Sequence, residues 1–384
     1  MTATPNTPDT SKAQNAPKTP KAHNTPDTRS APDVQNTRNT RNTRKTPHAP
    51  GTPHAPTTAD VPRTGGARYL PAIAGAAIAG PGSAVERIAV AEDGAGPYDL
   101  VTGPDGALWL TLVHSGEIGR LAPDGRFDRF SLGAPGCAPC RIVVGPDGAL
   151  WFTRTKDHRI GRITVDGRAT AFTPPTPGCA PWDLTVGPDG ALWFTETTAD
   201  RIGRITVEGE IAEFPLPLSG AFPSGIAAGP GGALWCTLNR ADALARVGLD
   251  GKVTVLPLPT AGAAPVGLAD GRGGGDEAVW FVEIGAGRLG RATPEGDIQE
   301  FPLPDSASRP HAVTVAPDGT RWFTEWGAHR VGCLAPDGTL TEYALPEGAQ
   351  PHGVAIGPSS APPGWTVHVA LESGEVATIG TGSA

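Results

Sequence analysis

The phrase Gly187-Pro-Asp-Gly-Ala-Leu-Trp193 governs the architecture, because the chain repeats it. The same seven residues stand at 103–109 and 145–151, and Gly-Pro-Gly-Gly-Ala-Leu-Trp stands at 229–235. Its Trp recurs at 109, 151, 193, 235, 280 and 322, a step of 42 residues broken once by a step of 45 that contains the insertion Gly271 to Asp276. A second phrase follows each time: Ile118-Gly-Arg, Ile160-Gly-Arg, Ile202-Gly-Arg, Leu289-Gly-Arg, Val331-Gly-Cys. A third closes the unit, as in Glu210-Ile-Ala-Glu-Phe-Pro-Leu-Pro and Asp297-Ile-Gln-Glu-Phe-Pro-Leu-Pro. Each unit thus holds four short apolar or alternating runs separated by Pro-Asp-Gly or Asp-Gly, which is hairpin-turn chemistry. Four antiparallel strands in roughly 40–45 residues is the pitch of a propeller blade, and the Trp-Asp signature of the WD type is missing.

The seventh unit departs from the rest. Pro351-His-Gly-Val-Ala-Ile-Gly-Pro opens it, Ser359 to Gly364 is inserted, His368 falls where Trp is expected, and Trp365 is displaced. The residues after Ile379-Gly380 leave no room for a fourth strand, while Ala84-Val-Glu-Arg-Ile-Ala-Val can supply one from the other end. The expectation is an all-β fold, a seven-bladed β-propeller of four-stranded antiparallel blades over residues 83–384. Its N-terminal strand at 84–90 completes the last blade and removes the open edges of a partial sheet. Residues 1–82 are rich in Thr, Pro and Asn and carry low-complexity repeats. They offer too little apolar surface to offset ordering entropy and are expected to form a disordered tail.

Composition narrows the partners. With 52 Gly, 42 Pro and only 18% charged residues, the chain favours short strands and tight turns over long helices. Residues 1–70 carry ten Lys/Arg against four Asp, and the remainder 21 basic against 35 acidic residues. An acidic body makes nucleic acid an unsuitable partner. Five cysteines, an odd number in a long chain, are no disulfide scaffold. No apolar run approaches the ~18–20 residues of a membrane span. The apolar run from Leu70 to Gly80 is short, broken by Pro71 and without a basic start, so a secretory signal is not expected and a cytoplasmic monomer is.

Shared positions of a repeat protein build its scaffold, and positions that differ on one face build its site. Each unit opens on a Pro that leads into its innermost strand, and the next residue varies: Tyr98, Cys140, Trp182, Ser224, Val266, His311, His352. If the strands are equivalent, these seven side chains ring one end of the central channel. Two His, a Tyr and a Trp there form a pocket, or the two His cap the channel through backbone hydrogen bonds. Glu196, Glu283 and Glu325 recur three residues after a Trp, which argues for scaffold roles in solvent or turn contacts. Cys137-Ala-Pro-Cys140 has redox spacing but lies between blades, with Cys137 mirrored by Cys179. The Arg of each Ile-Gly-Arg is expected to brace its blade, and the repeated aromatics to form its core.

The phrases Arg201-Ile-Gly-Arg-Ile-Thr, Arg309-Pro-His-Ala-Val, Trp322-Phe-Thr-Glu-Trp-Gly-Ala and Gln350-Pro-His-Gly-Val resemble the virginiamycin B lyase (streptogramin B lyase) family over about residues 84–380. The resemblance implies a carbon–oxygen lyase that inactivates streptogramin B-type cyclic depsipeptide antibiotics, opening the ring ester by elimination without water. It makes His352 the general base and His311 a substrate contact. It gives Tyr98 a place in the substrate pocket, and Trp182, on the same ring of positions, is expected to bind substrate beside it. It implies a Mg²⁺ ion on Gln350 and Glu372, with Gln350 standing where the family pattern usually has Glu. A Gln carbonyl can ligate Mg²⁺ but brings no charge. The residue types suit the chemistry, since a neutral imidazole can remove a proton α to a carbonyl and a Lewis acid can stabilise the enolate-like charge. The alternative is a non-catalytic propeller that binds a peptide, glycan or protein ligand on the same channel face.

Overall fold

The structure, a computed structural model, describes residue 73 and residues 76–78, 85–91, 94–359 and 364–380. The seven expected sheets are present. Blades 1 to 6 span residues 97–131, 139–172, 181–215, 223–257, 265–302 and 310–344, each with its strands hydrogen-bonded in chain order. Blade 7 takes Pro351–Pro358, Trp365–Leu371 and Glu375–Ile379, and its outermost strand is Val85–Ala89. Val85 pairs with Ile379 and Ala89 with Glu375, antiparallel, so one sheet joins distant parts of the chain. Innermost strands of successive blades lie side by side, and that of blade 7 lies against that of blade 1. The ring is closed. No helix among the described residues is long and apolar enough to cross a membrane.

The repeated phrases explain why these residues form blades. Trp109, Trp151, Trp193, Trp235 and Trp280 are fully buried. In blades 1 to 3 the indole N–H donates to the Asp of Pro-Asp-Gly at 3.0 Å, and the Arg of Ile-Gly-Arg donates to the other oxygen of that Asp at 2.6–2.7 Å. The ring also stacks on the outer-strand Phe, at 5.4 Å between centroids for Trp193 and Phe214. The Gly of Ile-Gly-Arg is dictated by packing, since a Cβ on Gly203 would stand 2.1 Å from the Phe194 ring. At blade 7, His368 occupies the Trp register opposite Ala355 and bonds Thr378 instead.

Two expectations are corrected. The tail of residues 1–82 lies outside the described residues except for Ile73 and Ala76–Ile78, and these are part of the folded body. Ala76–Ile78 pairs parallel with Leu340–Glu342 as a fifth strand on blade 6, and Ile73 packs against the core between blades 5 and 6. An exposed outer edge with free backbone groups is a template for such a strand even when the adding segment is short. The recurrent glutamates make no solvent contacts: Glu196, Glu283 and Glu325 are wholly buried. Burial first, then the neighbouring carboxylates Glu213 and Glu300, push Glu196 and Glu283 each up to about 8. The five cysteines are all unpaired, Cys137 and Cys140 included.

Candidate active site

Three backbone devices aim the ring side chains into the channel. The residue before each leading Pro is left-handed: Gly96 at φ 67, Ala138 and Ala180 at 48, Phe222 at 54, Ala264 at 46, Arg309 at 52, Gln350 at 48. Such a conformation is uncommon for a side-chain-bearing residue, yet six of the seven carry one. Next, all seven inner strands shift register between the Pro and the third residue after it. A bulge of this kind re-aims the side chain within it. Finally, a buried Thr two residues after the core Trp donates to the ring carbonyl of the following blade, as Thr111 does to Cys140, Thr153 to Trp182, Thr195 to Ser224, Thr237 to Val266 and Thr324 to His352, all at 2.7–2.9 Å.

The expected side chains converge. The Tyr98 ring stacks on His352 at 4.3 Å between centroids and meets Trp182 and His311 edge-on at 6.0 and 5.8 Å. His311 meets His352 edge-on at 4.7 Å, and its Nε2 lies 3.3 Å from the Tyr98 hydroxyl in a hydrogen bond. Tyr98 and His311 are each 8% exposed and His352 is 6% exposed. The rings do not cap the channel through backbone groups. Instead, the Nδ1 atoms of both histidines are buried without a hydrogen-bond partner among the described residues.

Glu372 organises the polar side of this cluster. Its Oε2 lies 2.6 Å from His352 Nε2 and its Oε1 lies 2.7 Å from His114 Nε2. The hydrogen bond from His352, against some burial, holds the Glu372 carboxyl below its ordinary range, so it is ionised at neutral pH. A carboxylate only accepts, so both imidazoles donate from Nε2. Burial pushes the imidazole of His352 below its ordinary value although Glu372 pulls the other way, and burial pushes His311 well below. Neutral His352 with its proton on Nε2 carries its lone pair on Nδ1. That is the protonation state of a base.

A charged floor lies beneath. Arg141, one residue past the ring position of blade 2, is buried with its guanidinium 3.5 Å from Asp99, and Asp183 also acts on it. Its positive charge lowers both His311 and His352. Asp183 itself is pushed up to about 6, by burial above all. Burial also raises the Tyr98 phenol well above its ordinary value, so it keeps its proton.

The implied Mg²⁺ meets an unsuitable donor set. Each oxygen of the single carboxylate, Glu372, is engaged by an imidazole, and Gln350 adds a neutral amide with its main chain committed: its carbonyl accepts from the Glu372 N–H at 3.1 Å. Mg²⁺ demands near-octahedral hard oxygen ligands, commonly led by one or two free carboxylates. Among the described residues no three His, Cys, Asp or Glu are grouped to hold a metal. As placed, these residues do not fit the ion.

His114, Arg141 and Trp326, which lies 6.3 Å from His352, were not marked by the repeat. The signal for His114 was its place five residues after Trp109, where blades 2 to 6 carry Lys156, Thr198, Arg240, Gly285 and Gly327. The signal for Arg141 was a charge inside an innermost strand.

A family model described as the virginiamycin B lyase family matches residues 83–379. A curated virginiamycin B lyase of Nocardia farcinica is 57% identical over 44 residues, a stretch that spans 12% of this chain and 16% of that relative. The crystal structure of virginiamycin B lyase from Staphylococcus aureus is 35% identical with a TM-score of 0.72, over 77% of this chain and 98% of that one. A streptogramin B lyase structure gives 36% and 0.73, over 77% and 97%. A catalytically inactive histidine-to-alanine variant of the Staphylococcus aureus protein, solved with quinupristin, is similar at 35% and 0.72 over the same shares.

Proposed function

The chain belongs to the virginiamycin B lyase family, and from that premise we propose that it opens streptogramin B-type cyclic depsipeptides by elimination at the ring ester, with His352 as general base. The observation that carries the proposal is the pairing of His352 Nε2 with Glu372 at 2.6 Å while Nδ1 stays buried with no hydrogen-bond partner among the described residues. An imidazole clamped on one nitrogen by a carboxylate presents the other in basic form, the logic by which an acidic partner fixes a catalytic tautomer.

In the proposed reaction Nδ1 takes the proton α to the carbonyl of the residue whose side-chain oxygen carries the ester. The electron pair left behind forms the Cα=Cβ bond as Cβ–O breaks, and the ring carboxyl departs as carboxylate. The proton resides on His352, where the Glu372 carboxylate stabilises the imidazolium, until solvent removes it. The Tyr98 hydroxyl and the buried Arg141 charge are the groups available to the developing enolate. Tyr98, Trp182 and His311 supply flat apolar walls for a ring-shaped ligand. Because His352 is 6% exposed, arriving substrate must displace part of its cover. Every step falls to this chain's own side chains.

The test is mass analysis after incubating the full chain with a B-type streptogramin. Elimination gives a linear product of unchanged mass containing a new double bond. A product heavier by one water means hydrolysis and rejects the mechanism, and an intact ring rejects the function.

A further inference from the structure

Among the described residues, the seam between the last and first blades carries one contact that has no counterpart elsewhere in the repeat. His114 lies after the second strand of blade 1, with its N–H bonded to the Ala95 carbonyl, and its ring reaches across to Glu372 of blade 7. The approach depends on Gly96. A Cβ there would stand 2.4 Å from His114 Cδ2 and 2.9 Å from Nε2, so the imidazole occupies space that a side chain would fill. Left-handed backbone does not demand glycine at this position, because Ala138, Ala180 and Ala264 hold it in blades 2, 3 and 5. Glycine at blade 1 is needed for the ring of His114 instead.

We infer that His114 is a positioning residue for the reaction: it grips Oε1 of Glu372 so that Oε2 stays on His352, and it thereby makes Glu372 a bridge between two imidazoles and not a metal ligand. The inference rests on His352 being the base proposed above. The geometry supplies the reason. A glutamate side chain has three rotatable bonds, and with a single partner it would spread over several rotamers. Two donors at 2.6 and 2.7 Å, one on each oxygen and from different blades, leave it one orientation. The base then meets substrate with its tautomer already set. The hydrogen-bonded bridge spans the same joint that closes the ring.

Three variants of the full chain test this: His114→Ala, His114→Gln and Gly96→Ala. His114→Gln keeps an N–H that can reach Glu372, whereas Gly96→Ala leaves His114 in the sequence but drives its ring away. Streptogramin turnover should show kcat lowered roughly ten-fold in His114→Ala and Gly96→Ala with KM little changed, and largely recovered in His114→Gln, the size typical of an outer partner that orients a working imidazole. Imidazole nitrogen NMR shifts at fixed pH give a readout independent of turnover. His352 should be protonated on Nε2 in the parent and a mixture of tautomers in His114→Ala and Gly96→Ala, and adding Mg²⁺ to the parent should leave the shifts in place. Parent-like shifts in both variants would overturn the inference, as would Mg²⁺ moving the His352 and His114 signals together. If the antibiotic ring stays closed, the proposed activity fails while the shifts still decide the role of His114.

Discussion

Blades 1 to 3 and the joint between blades 7 and 1 are made from the same unit, yet they obey different constraints. In the former, each Trp, Asp and Arg repeats its contacts to within 0.1 Å. At the joint, Trp is replaced by His368, the outer strand comes from Val85–Ala89, and Glu372 takes a hydrogen bond from His352 of blade 7 on one oxygen and from His114 of blade 1 on the other. The regular blades have spent their variation on stability. The joint, where the sheet is completed by a separate piece of chain, is where the proposed base and its carboxylate partner sit.

Four experiments would break or sharpen that contrast. Deleting residues 85–89 should have the largest effect, because blade 7 would expose the edge of Glu375–Ile379 and the ring would lose its closure; loss of a cooperative melt by circular dichroism is expected, and a parent-like melt would show that the joint is not structural. His352→Ala should lower streptogramin turnover by about 10²–10⁴-fold, the usual worth of a general base, while the melting temperature stays near the parent's. Asp189→Ala in blade 3 should do the reverse. It strands the buried Trp193 N–H and frees Arg204, costing about 1–3 kcal/mol by denaturant melting with kcat unchanged. The smallest effect concerns pH. Glu196 is raised from 4.5 to about 8 by burial and by Glu213, so the folded chain holds a proton that the unfolded chain releases. Its stabilising contribution is complete below about pH 4.5 and is lost as pH rises through about 8. Melting temperature should therefore fall across that window, and Glu196→Gln should flatten the fall only in part, since Glu283 titrates alike.

Much of this was legible in the sequence, for physical reasons that differ by residue. The 42-residue step fixed the blades because each Trp must find its Asp turn and outer-strand Phe at constant spacing. The ring of Tyr98, Trp182, His311 and His352 could be read because one Pro marks every inner strand. Glu372 was reachable through the family pattern, despite the insertion from Ser359 to Gly364. His114 was not, since its position depends on the missing Cβ of Gly96 in a separate turn, a relation between two loops that no periodicity carries. The burial of Glu196 was misread because charge in a sequence says nothing of how deeply a strand end is covered. The strand Ala76–Ile78 was hidden by being three residues long beside Pro71 and Gly80.

The threonine clasps have a further consequence. Each one holds a ring position by its main-chain oxygen, and so is indifferent to the side chain mounted there. Cys140, Trp182, Ser224, Val266 and His352 all sit in clasps of 2.7–2.9 Å. The mouth of the channel is in effect a rack of interchangeable fittings on fixed mounts. Which side chain stands on a mount is thereby uncoupled from the hydrogen bond that ties one blade to the next.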